Sequence, residues 1–256
     1  MDVACRLAEA AGEVLLEHFG RITDVTHKGA VDLQTAADRD AEAIVLEGLS
    51  QAFPEDAILA EESGPQGSSA APWCWIVDPL DGTTNFVHGL DHFAVSVGLS
   101  WQGELVGGVV HAPRRAATYR ASRGGGAWCG GRRLSVSRVV ELSDALLATG
   151  FPYDRRETAA ALLVPVRRAM ETAQGLRRAG AASLDFVDVA RGALDGYWEP
   201  RLKPWDMAAG AVLVREAGGT VSAYAGRPFD VEGDTVVVSN GALHGAVVEI
   251  AGDGRA

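Results

Sequence analysis

One segment of the sequence reads Trp75-Ile76-Val77-Asp78-Pro79-Leu80-Asp81-Gly82-Thr83-Thr84-Asn85. Its apolar start predicts a short buried strand that ends at Asp78. Two carboxylates three residues apart at a strand end can point into one space and offer the oxygen ligands that magnesium prefers. Gly82 lets the backbone approach a ligand closely. A helix beginning at Gly82-Thr83 would turn free N–H groups toward a phosphate.

Each half of this segment could also be an ordinary turn, because Asp-Pro and Asp-Gly are both common turn dipeptides. Two further acidic positions favour a site instead. Glu61 follows the apolar run Ala57–Ala60, and Asp206 lies at the start of an apolar helical pattern. Singly, Glu61 could be a solvated charge and Asp206 a helix cap. Together with the first segment, they predict a metal cluster beside an anion site.

The composition excludes several other functions. The 256 residues carry a net charge of −11, which repels nucleic-acid phosphates and anionic membranes. A small phosphate ester would be repelled too, unless a metal ion reversed the local charge. No apolar run approaches the ~18 residues of a membrane span, and the charged N-terminus does not resemble a signal peptide. With three widely spaced cysteines and no Cys-x-x-Cys pair, we expect a cytoplasmic protein with reduced thiols.

Apolar periodicity predicts two parts of different character. Residues 1–144 contain two helices, at 3–19 and 35–53, followed mostly by strands, with an antiparallel meander over 93–136. Residues 145–256 alternate strands with helices, as in an α/β half. No flexible linker separates the parts, so we expect them to pack firmly.

Helix caps and loops follow from local residue chemistry. Thr35 is predicted to cap the second helix, with Asp38 in its first turn, where a negative charge is favoured. Ser183 is predicted to cap a later helix. The Gly-, Ser- and Pro-rich residues 64–72 are predicted to form a loop.

Residues Trp75–Phe86 strongly resemble the metal-binding motif of the inositol monophosphatase family. A second signature of that family is matched by Trp205–Gly210, followed by Glu216–Gly219. Three shorter matches occur in the expected order: Val31–Asp38, Glu61–Ser63 and Gly180–Ala182. The resemblance covers nearly the whole chain.

The resemblance implies an α+β fold, the layered α-β-α-β-α sandwich of the sugar phosphatases, usually as a homodimer. It implies hydrolysis of a small phosphate monoester with two to three Mg²⁺ ions. The implied metal ligands are Glu61, Asp78, the Leu80 carbonyl, Asp81 and Asp206. Glu61 is also implied to be catalytic, because it would help to hold a third, weaker ion.

The resemblance also implies roles toward water, phosphate and alcohol. Asp38 and Thr83 would be catalytic residues that orient the attacking water. The backbone N–H groups of Gly82 and Thr83 would hold the phosphate. Glu199 would bind hydroxyl groups of the substrate, with Ala182 nearby, so the substrate would be a small phosphorylated polyol or amino alcohol.

The identity of the alcohol stays open at this point. Inositol 1-phosphate ranks first and histidinol phosphate second, while other relatives act on fructose 1,6-bisphosphate or nucleoside bisphosphates. Ala181 stands where inositol-specific relatives often have Thr. Lys28 lies in a loop whose length differs from that of some relatives, so its catalytic role is open. Arg201 and Lys203 are expected to be inert surface cations.

A hypothesis from another class is a non-catalytic interaction protein that keeps this fold. The complete set of acidic positions argues against it, since a scaffold could lose any of them freely.

Overall fold

The computed structural model describes residues 1–21, 25–27 and 33–253. Lys28 and Val31, both named above, lie outside the described residues. The described helices are α1 (Asp2–His18), α2 (Ala36–Ala52), α3 (Thr83–Val87), α4 (Arg155–Thr172), α5 (Ala182–Ala190), α6 (Pro204–Glu216) and α7 (His244–Ala251). The described strands are β1 (Val25–His27), β2 (Leu33–Thr35), β3 (Ala57–Ala60), β4 (Gly64–Gln66), β5 (Trp73–Asp81), β6 (Ala94–Trp101), β7 (Glu104–Ala112), β8 (Ala117–Ser122), β9 (Gly126–Cys129), β10 (Arg132–Arg133), β11 (Leu146–Thr149), β12 (Gly175–Arg177), β13 (Gly196–Pro200), β14 (Thr220–Ser222) and β15 (Thr235–Ser239).

The first large sheet has the strand order β10-β9-β8-β7-β6-β5-β3-β4. Strands β6 to β10 form the predicted antiparallel meander, and β3 and β5 are parallel neighbours. The prediction that residues 64–72 are all loop is wrong at its start, because β4 pairs antiparallel with β3. The reversal is possible because Gly64 adopts a left-handed backbone (φ 74°).

The second large sheet has the order β12-β11-β13-β15-β14. Strand β11 is parallel to both β12 and β13, whereas β15 is antiparallel to β13 and β14. Strands β1 and β2 form a separate two-stranded ribbon. The strand Gly196–Pro200 therefore lies near the middle of this sheet, and Glu199 is next to its end.

Helices and sheets alternate in five layers. Helices α1 and α2 pack on one face of the first sheet, α5 and α6 lie between the two sheets, and α4 and α7 cover the second sheet. Residues of both sheets share one core with α5 and α6, including Val110, Leu184, Met207 and Val238. The predicted α-β-α-β-α fold is confirmed. The division at residue 144 stays a prediction.

Two cap predictions have different outcomes. Thr35 caps α2 as predicted: its hydroxyl accepts from the Ala37 N–H at 3.1 Å, and Asp38 accepts from the Thr35 N–H at 2.8 Å. Ser183 is not a cap, because α5 begins one residue earlier and its N-cap is Ala181. Among the described residues, none of the helices combines the length and apolar character needed to cross a membrane.

Candidate active site

The end of β5 sets the positions of Asp78 and Asp81. The pairing of β5 with β6 shifts register between these two residues, so the strand is irregular there. Asp78 Oδ1 accepts a hydrogen bond of 2.9 Å from the Leu80 N–H, which closes a local turn. Both carboxylates are buried, with 1% and 8% exposure. Strand β5 therefore places the carboxylates of Asp78 and Asp81 in the protein interior.

Asp78 lies in a cluster of carboxylates. Burial raises its pKa well above the ordinary value, and three like charges raise it further: Glu61, Asp81 and Asp206. Asp206, which α6 supplies, also has a strongly raised pKa, first through burial and then through Asp81 and Glu61. Buried carboxylates that raise one another's pKa are stable as anions only when a cation joins them.

Magnesium fits the donor set of this cluster, because it is a hard cation that takes oxygen ligands. In residues 1–21, 25–27 and 33–253, no three His, Cys, Asp or Glu side chains are arranged as a finished metal cage. Magnesium needs no such cage, since it keeps several waters and often combines one or two carboxylates with substrate phosphate. The groups that could hold it are Glu61, Asp78, the Leu80 carbonyl, Asp81 and Asp206.

Asp81 is held in place from the middle helical layer. Its Oδ1 accepts from the Ala182 N–H at 3.1 Å, and its Oδ2 accepts from the N–H and the hydroxyl of Ser183 at 2.7 and 2.5 Å. Burial raises the pKa of Asp81, while these hydrogen bonds lower it. Three donors thus help to keep the Asp81 carboxylate ionised and fix its direction.

Asp38 and Thr83 form a second polar group beside the cluster. The Thr83 hydroxyl lies 3.0 Å from the Leu80 carbonyl and 3.3 Å from Asp38 Oδ1. Asp38 Oδ2 accepts from the Thr35 hydroxyl at 2.6 Å. Burial raises the pKa of Asp38, and the hydrogen bonds from Thr35 oppose that rise. This arrangement can accept and orient a water molecule at Thr83.

The chain turns into α3 at Gly82. Gly82 has φ 92°, and a Cβ there would lie 2.9 Å from the His92 carbonyl oxygen, so only glycine fits. The side-chain amide of Asn85 donates to the carbonyls of His92 and Ala179 at 2.7 and 2.9 Å, which fixes α3 against the chain before α5. The N–H groups of a helix's first turn have no partner within the helix, so they can bind an anion.

These elements surround a cleft of about 300 Å³. Six of the predicted site residues line it: Asp81, Gly82, Thr83, Ala182, Glu199 and Asp206. The Glu199 carboxylate accepts from the Tyr197 hydroxyl at 2.5 Å. Burial raises the pKa of Glu199 from 4.5 to about 7, although the hydrogen bond from Tyr197 opposes the rise. Glu199 can therefore change its protonation near neutral pH.

Comparison with known proteins identifies the family of the chain. The sequence profile of the inositol monophosphatase family matches residues 1–254. The chain belongs to the inositol monophosphatase family. Inositol-1-monophosphatase of Synechocystis sp. is 45% identical over 245 residues, which are 95% of this chain and 85% of that protein.

Family members with another name are similarly close. Nus factor SuhB of Pseudomonas aeruginosa is 44% identical over 246 residues, covering 94% of this chain and 91% of that protein. The crystal structure of the extragenic suppressor protein SuhB from Bartonella henselae has a TM-score of 0.94 at 38% identity, covering 98% of this chain and 97% of that one. Family membership and fold are thus shown, and the names of the relatives leave two kinds of function open.

All ten predicted site residues lie together, because the four that do not line the cleft are linked to the others by hydrogen bonds at Thr83 or by the electrostatic interactions of the carboxylate cluster. Those four are Asp38, Glu61, Asp78 and Leu80. Sequence reasoning missed Ser183 as the support of Asp81, and it missed the basic wall of the cleft, where Arg178 and Arg155 lie. No local pattern indicates the roles of Ser183 and Arg178, since Asp81 and Phe151, which they contact, are distant in sequence.

Proposed function

We propose that the protein hydrolyses a small phosphate monoester with the help of magnesium, and that its substrate is inositol 1-phosphate. The convergence of Asp78, Asp81 and Asp206 beside the first turn of α3 carries this proposal. Uncatalysed hydrolysis of a phosphate monoester has a very high barrier. Fixed charges and donors aimed at the phosphate are the main means by which a protein can lower it.

Two to three magnesium ions would be held by the five groups named for the cluster. When bound, magnesium activates the attacking water and compensates the charge that develops on the leaving oxygen. The protein's part is to orient the ligands. The Ser183 hydroxyl and N–H fix Asp81, and the Lys203 N–H donates to Asp206 Oδ2 at 2.7 Å.

Water and phosphate would be positioned by the turn into α3. Thr83 already has its hydroxyl proton directed to Leu80 and Asp38, so its lone pairs are free to accept from a water. Asp38, with its raised pKa, can take up a proton through Thr83. The N–H groups of Gly82 and Thr83 would bind the phosphate oxygens, which a glycine at position 82 makes possible.

The alcohol would lie between α3 and the end of β13. The Glu199 carboxylate can accept hydroxyl or ammonium donors, which suits a polyol or an amino alcohol. Ala182 adds an apolar wall beside it. This supports inositol 1-phosphate first and histidinol phosphate second. Fructose 1,6-bisphosphate and nucleoside bisphosphates remain alternatives for the same reaction.

The name of the Pseudomonas relative supports a different candidate, an interaction scaffold that keeps the fold. Burying several carboxylates that raise one another's pKa costs stability in the absence of a cation. A scaffold without catalysis would gain stability by losing one of them, so their joint presence favours the enzyme.

A phosphate-release screen with and without magnesium tests the proposal. The substrates are inositol 1-phosphate, histidinol phosphate, fructose 1,6-bisphosphate and 3′-phosphoadenosine 5′-phosphate. We expect magnesium-dependent release that Asp81→Asn abolishes while the fold is kept, and that the exposed-site control Asp144→Asn retains. Undiminished turnover in Asp81→Asn would remove the metal-cluster mechanism. Absence of release from every ester would favour the scaffold.

We also propose that the protein acts as a homodimer in the cytoplasm. Membership of the family supports the dimer, and the three free cysteines support the cytoplasm. Sedimentation at micromolar concentration should give twice the mass of one chain, and a single-chain mass would reject the dimer.

A further inference from the structure

Glu42 is a buried carboxylate that the proposed reaction does not use. It lies in α2 one helical turn after Asp38, and both side chains are on the buried face of that helix, with 5% and 1% exposure. The other buried residues of α2 are apolar: Ala37, Ala41, Val45 and Leu49. Taking a carboxylate out of water costs free energy unless a hydrogen-bond donor compensates it. The partner of Glu42 therefore indicates what this acid does.

The partner of Glu42 is the turn that carries Glu61. Glu42 Oε2 accepts a hydrogen bond of 2.9 Å from the backbone N–H of Glu62. The N–H of Glu61 donates to the Val77 carbonyl at 3.0 Å. Adjacent N–H groups are thus bound by different elements, that of Glu61 by β5 and that of Glu62 by α2. Together they fix the backbone from which the Glu61 side chain projects.

The other contacts of this turn act at different places. Residues 61–63 lie between β3 and β4, and the ends of the turn are fixed by the pairing of Ala60 with Gly64. The Gln34 side chain donates to the Glu62 carboxylate, and the Gln66 side chain donates to the Ser63 hydroxyl at 2.8 Å. These two contacts hold side chains of the turn, whereas the hydrogen bond to Glu42 holds the backbone next to Glu61.

Helix α2 thus reaches the candidate site at two places, one turn apart. Asp38 Oδ1 lies 3.3 Å from the Thr83 hydroxyl, where the attacking water is proposed to be held. Glu42 holds the turn of Glu61, whose side chain interacts with Asp78 in the carboxylate cluster. A single helix therefore sets the spacing between the water side and the metal side of the site.

We propose that Glu42 is a positioning residue for the metal cluster, because it holds the turn at Glu61 and Glu62 so that the Glu61 carboxylate faces Asp78. The inference rests on the magnesium cluster of the proposed function. Its requirement is an acceptor for the Glu62 N–H, and a carboxylate is a stronger acceptor than a neutral group. Loss of a group that orients a metal ligand typically weakens metal binding by about 10–100-fold. We expect the lower end here, since Glu42 acts on the backbone beside the ligand.

Three variants of Glu42 separate the role of the acceptor from that of the charge. Glu42→Met keeps the length of the side chain and the helix propensity but has only a weakly accepting sulfur. Glu42→Gln keeps an acceptor oxygen without the charge, and Glu42→Asp keeps the charge but withdraws the oxygens by one methylene group. Glu47→Met is the matched control, because Glu47 is an exposed residue of the same helix and loses the same charge.

Titration with Mn²⁺, followed by the electron paramagnetic resonance signal of the free ion, measures metal binding without turnover. Manganese takes carboxylate and carbonyl ligands as magnesium does. Glu42→Met and Glu42→Asp should raise the Kd for manganese about tenfold, whereas Glu42→Gln and the control should bind it like the unmodified protein. The magnesium concentration for half-maximal phosphate release should rise in the same order. At saturating magnesium, KM for inositol 1-phosphate should be the same in every variant.

Urea unfolding in the presence of a chelator separates support of the fold from support of the metal. If Glu42→Met is less stable but binds manganese like the unmodified protein, Glu42 supports only the fold and the inference is overturned. Equal losses of affinity in Glu42→Met and Glu42→Gln also overturn it. If Glu42→Met does not fold, equal manganese affinities of Glu42→Asp and Glu42→Gln overturn it.

The same series keeps the inference distinct from the proposed function. The expected order of manganese affinities without phosphate release from any ester would keep the positioning role and reject the phosphatase. Magnesium-dependent release with equal manganese affinities in all variants would do the reverse.

Discussion

The hydroxyl of Ser183 donates to Asp81 Oδ2 at 2.5 Å, and the N–H of Ser183 donates to the same oxygen at 2.7 Å. Asp81 ends strand β5 of the first sheet, whereas Ser183 belongs to α5 in the layer between the two sheets. One predicted magnesium ligand is therefore oriented by a helix 102 residues further along the chain. The packing of these layers and the geometry of the carboxylate cluster are thus coupled.

Ser183→Ala should weaken magnesium binding more than it weakens the fold. The variant removes one of three donors to Asp81, which raises the pKa of Asp81 and frees its orientation. Loss of such a supporting hydrogen bond typically costs about 10–100-fold in metal affinity. A magnesium titration of phosphate release measures the effect, with Ser135→Ala, on the exposed surface, as control. An unchanged magnesium requirement in Ser183→Ala would contradict this role.

The metal-free protein should lose stability as the pH rises. The folded-state pKa values of Asp78, Asp81 and Asp206 lie above the ordinary 3.8, and that of Glu199 is about 7 instead of 4.5. A group with a raised folded pKa contributes stability that is complete below its unfolded pKa and lost as the pH passes its folded pKa. The free energy of unfolding of the metal-free protein is therefore expected to fall from near pH 4 to pH 7 and above.

Urea unfolding at pH 5, 6, 7 and 8 with a chelator measures the slope of the free energy of unfolding against pH. Excess magnesium should flatten it, because a cation compensates the carboxylates. Asp78→Asn should also flatten it and should make the metal-free protein more stable at pH 8. Equal stability at pH 5 and pH 8 without metal would show that the carboxylates do not repel one another in the folded protein.

Features set by neighbouring residues could be predicted from the sequence. The cap of α2 by Thr35 and the start of α3 at Gly82 each depend on a few adjacent residues, and both are confirmed. The apolar run before Asp78 likewise forms β5, although the strand extends to Asp81. Capping and strand patterns are local, so the sequence carries them directly.

Features set by distant partners could not be predicted. Ser183 resembled a helix cap, but the hydroxyl donates to a carboxylate in another layer, and nothing near Ser183 in sequence indicates that carboxylate. Arg201 resembled an inert surface cation until the fold placed Asp154 beside it. In both cases the side chain's role depends on which elements pack together, and a local pattern contains no such information.

Thr35→Ala should destabilise the protein and displace Asp38. The Thr35 hydroxyl accepts from the Ala37 N–H and donates to Asp38 Oδ2, so one side chain both caps α2 and orients a predicted catalytic acid. Loss of an N-cap costs about 1 kcal/mol, and up to about 2 kcal/mol. Thr35→Ser keeps the hydroxyl and serves as the matched control. Urea unfolding and kcat are the measurements, and equal values for the two variants would refute the dual role.

Tyr197→Phe should change which alcohol is accepted while leaving the chemistry at phosphate largely intact. The Tyr197 hydroxyl is the donor to the Glu199 carboxylate at 2.5 Å, and a methyl group on Gly150 would overlap that carboxylate. The Tyr197 hydroxyl thus orients Glu199, the proposed contact for the substrate's hydroxyls, and Gly150 leaves room for the carboxylate. Because the hydrogen bond from Tyr197 lowers the pKa of Glu199, its loss should also move the corresponding pH dependence upward from about 7.

The comparison of inositol 1-phosphate with p-nitrophenyl phosphate, which has no alcohol hydroxyls, isolates this effect. In Tyr197→Phe, KM for inositol 1-phosphate should rise several-fold, which corresponds to about 1 kcal/mol, the typical net contribution of one hydrogen bond, and KM for p-nitrophenyl phosphate should change little. Gly150→Ala should act in the same direction and more strongly, because it displaces the carboxylate itself. If both esters lose efficiency equally, Tyr197 supports the fold of β13 and has no part in selecting the alcohol.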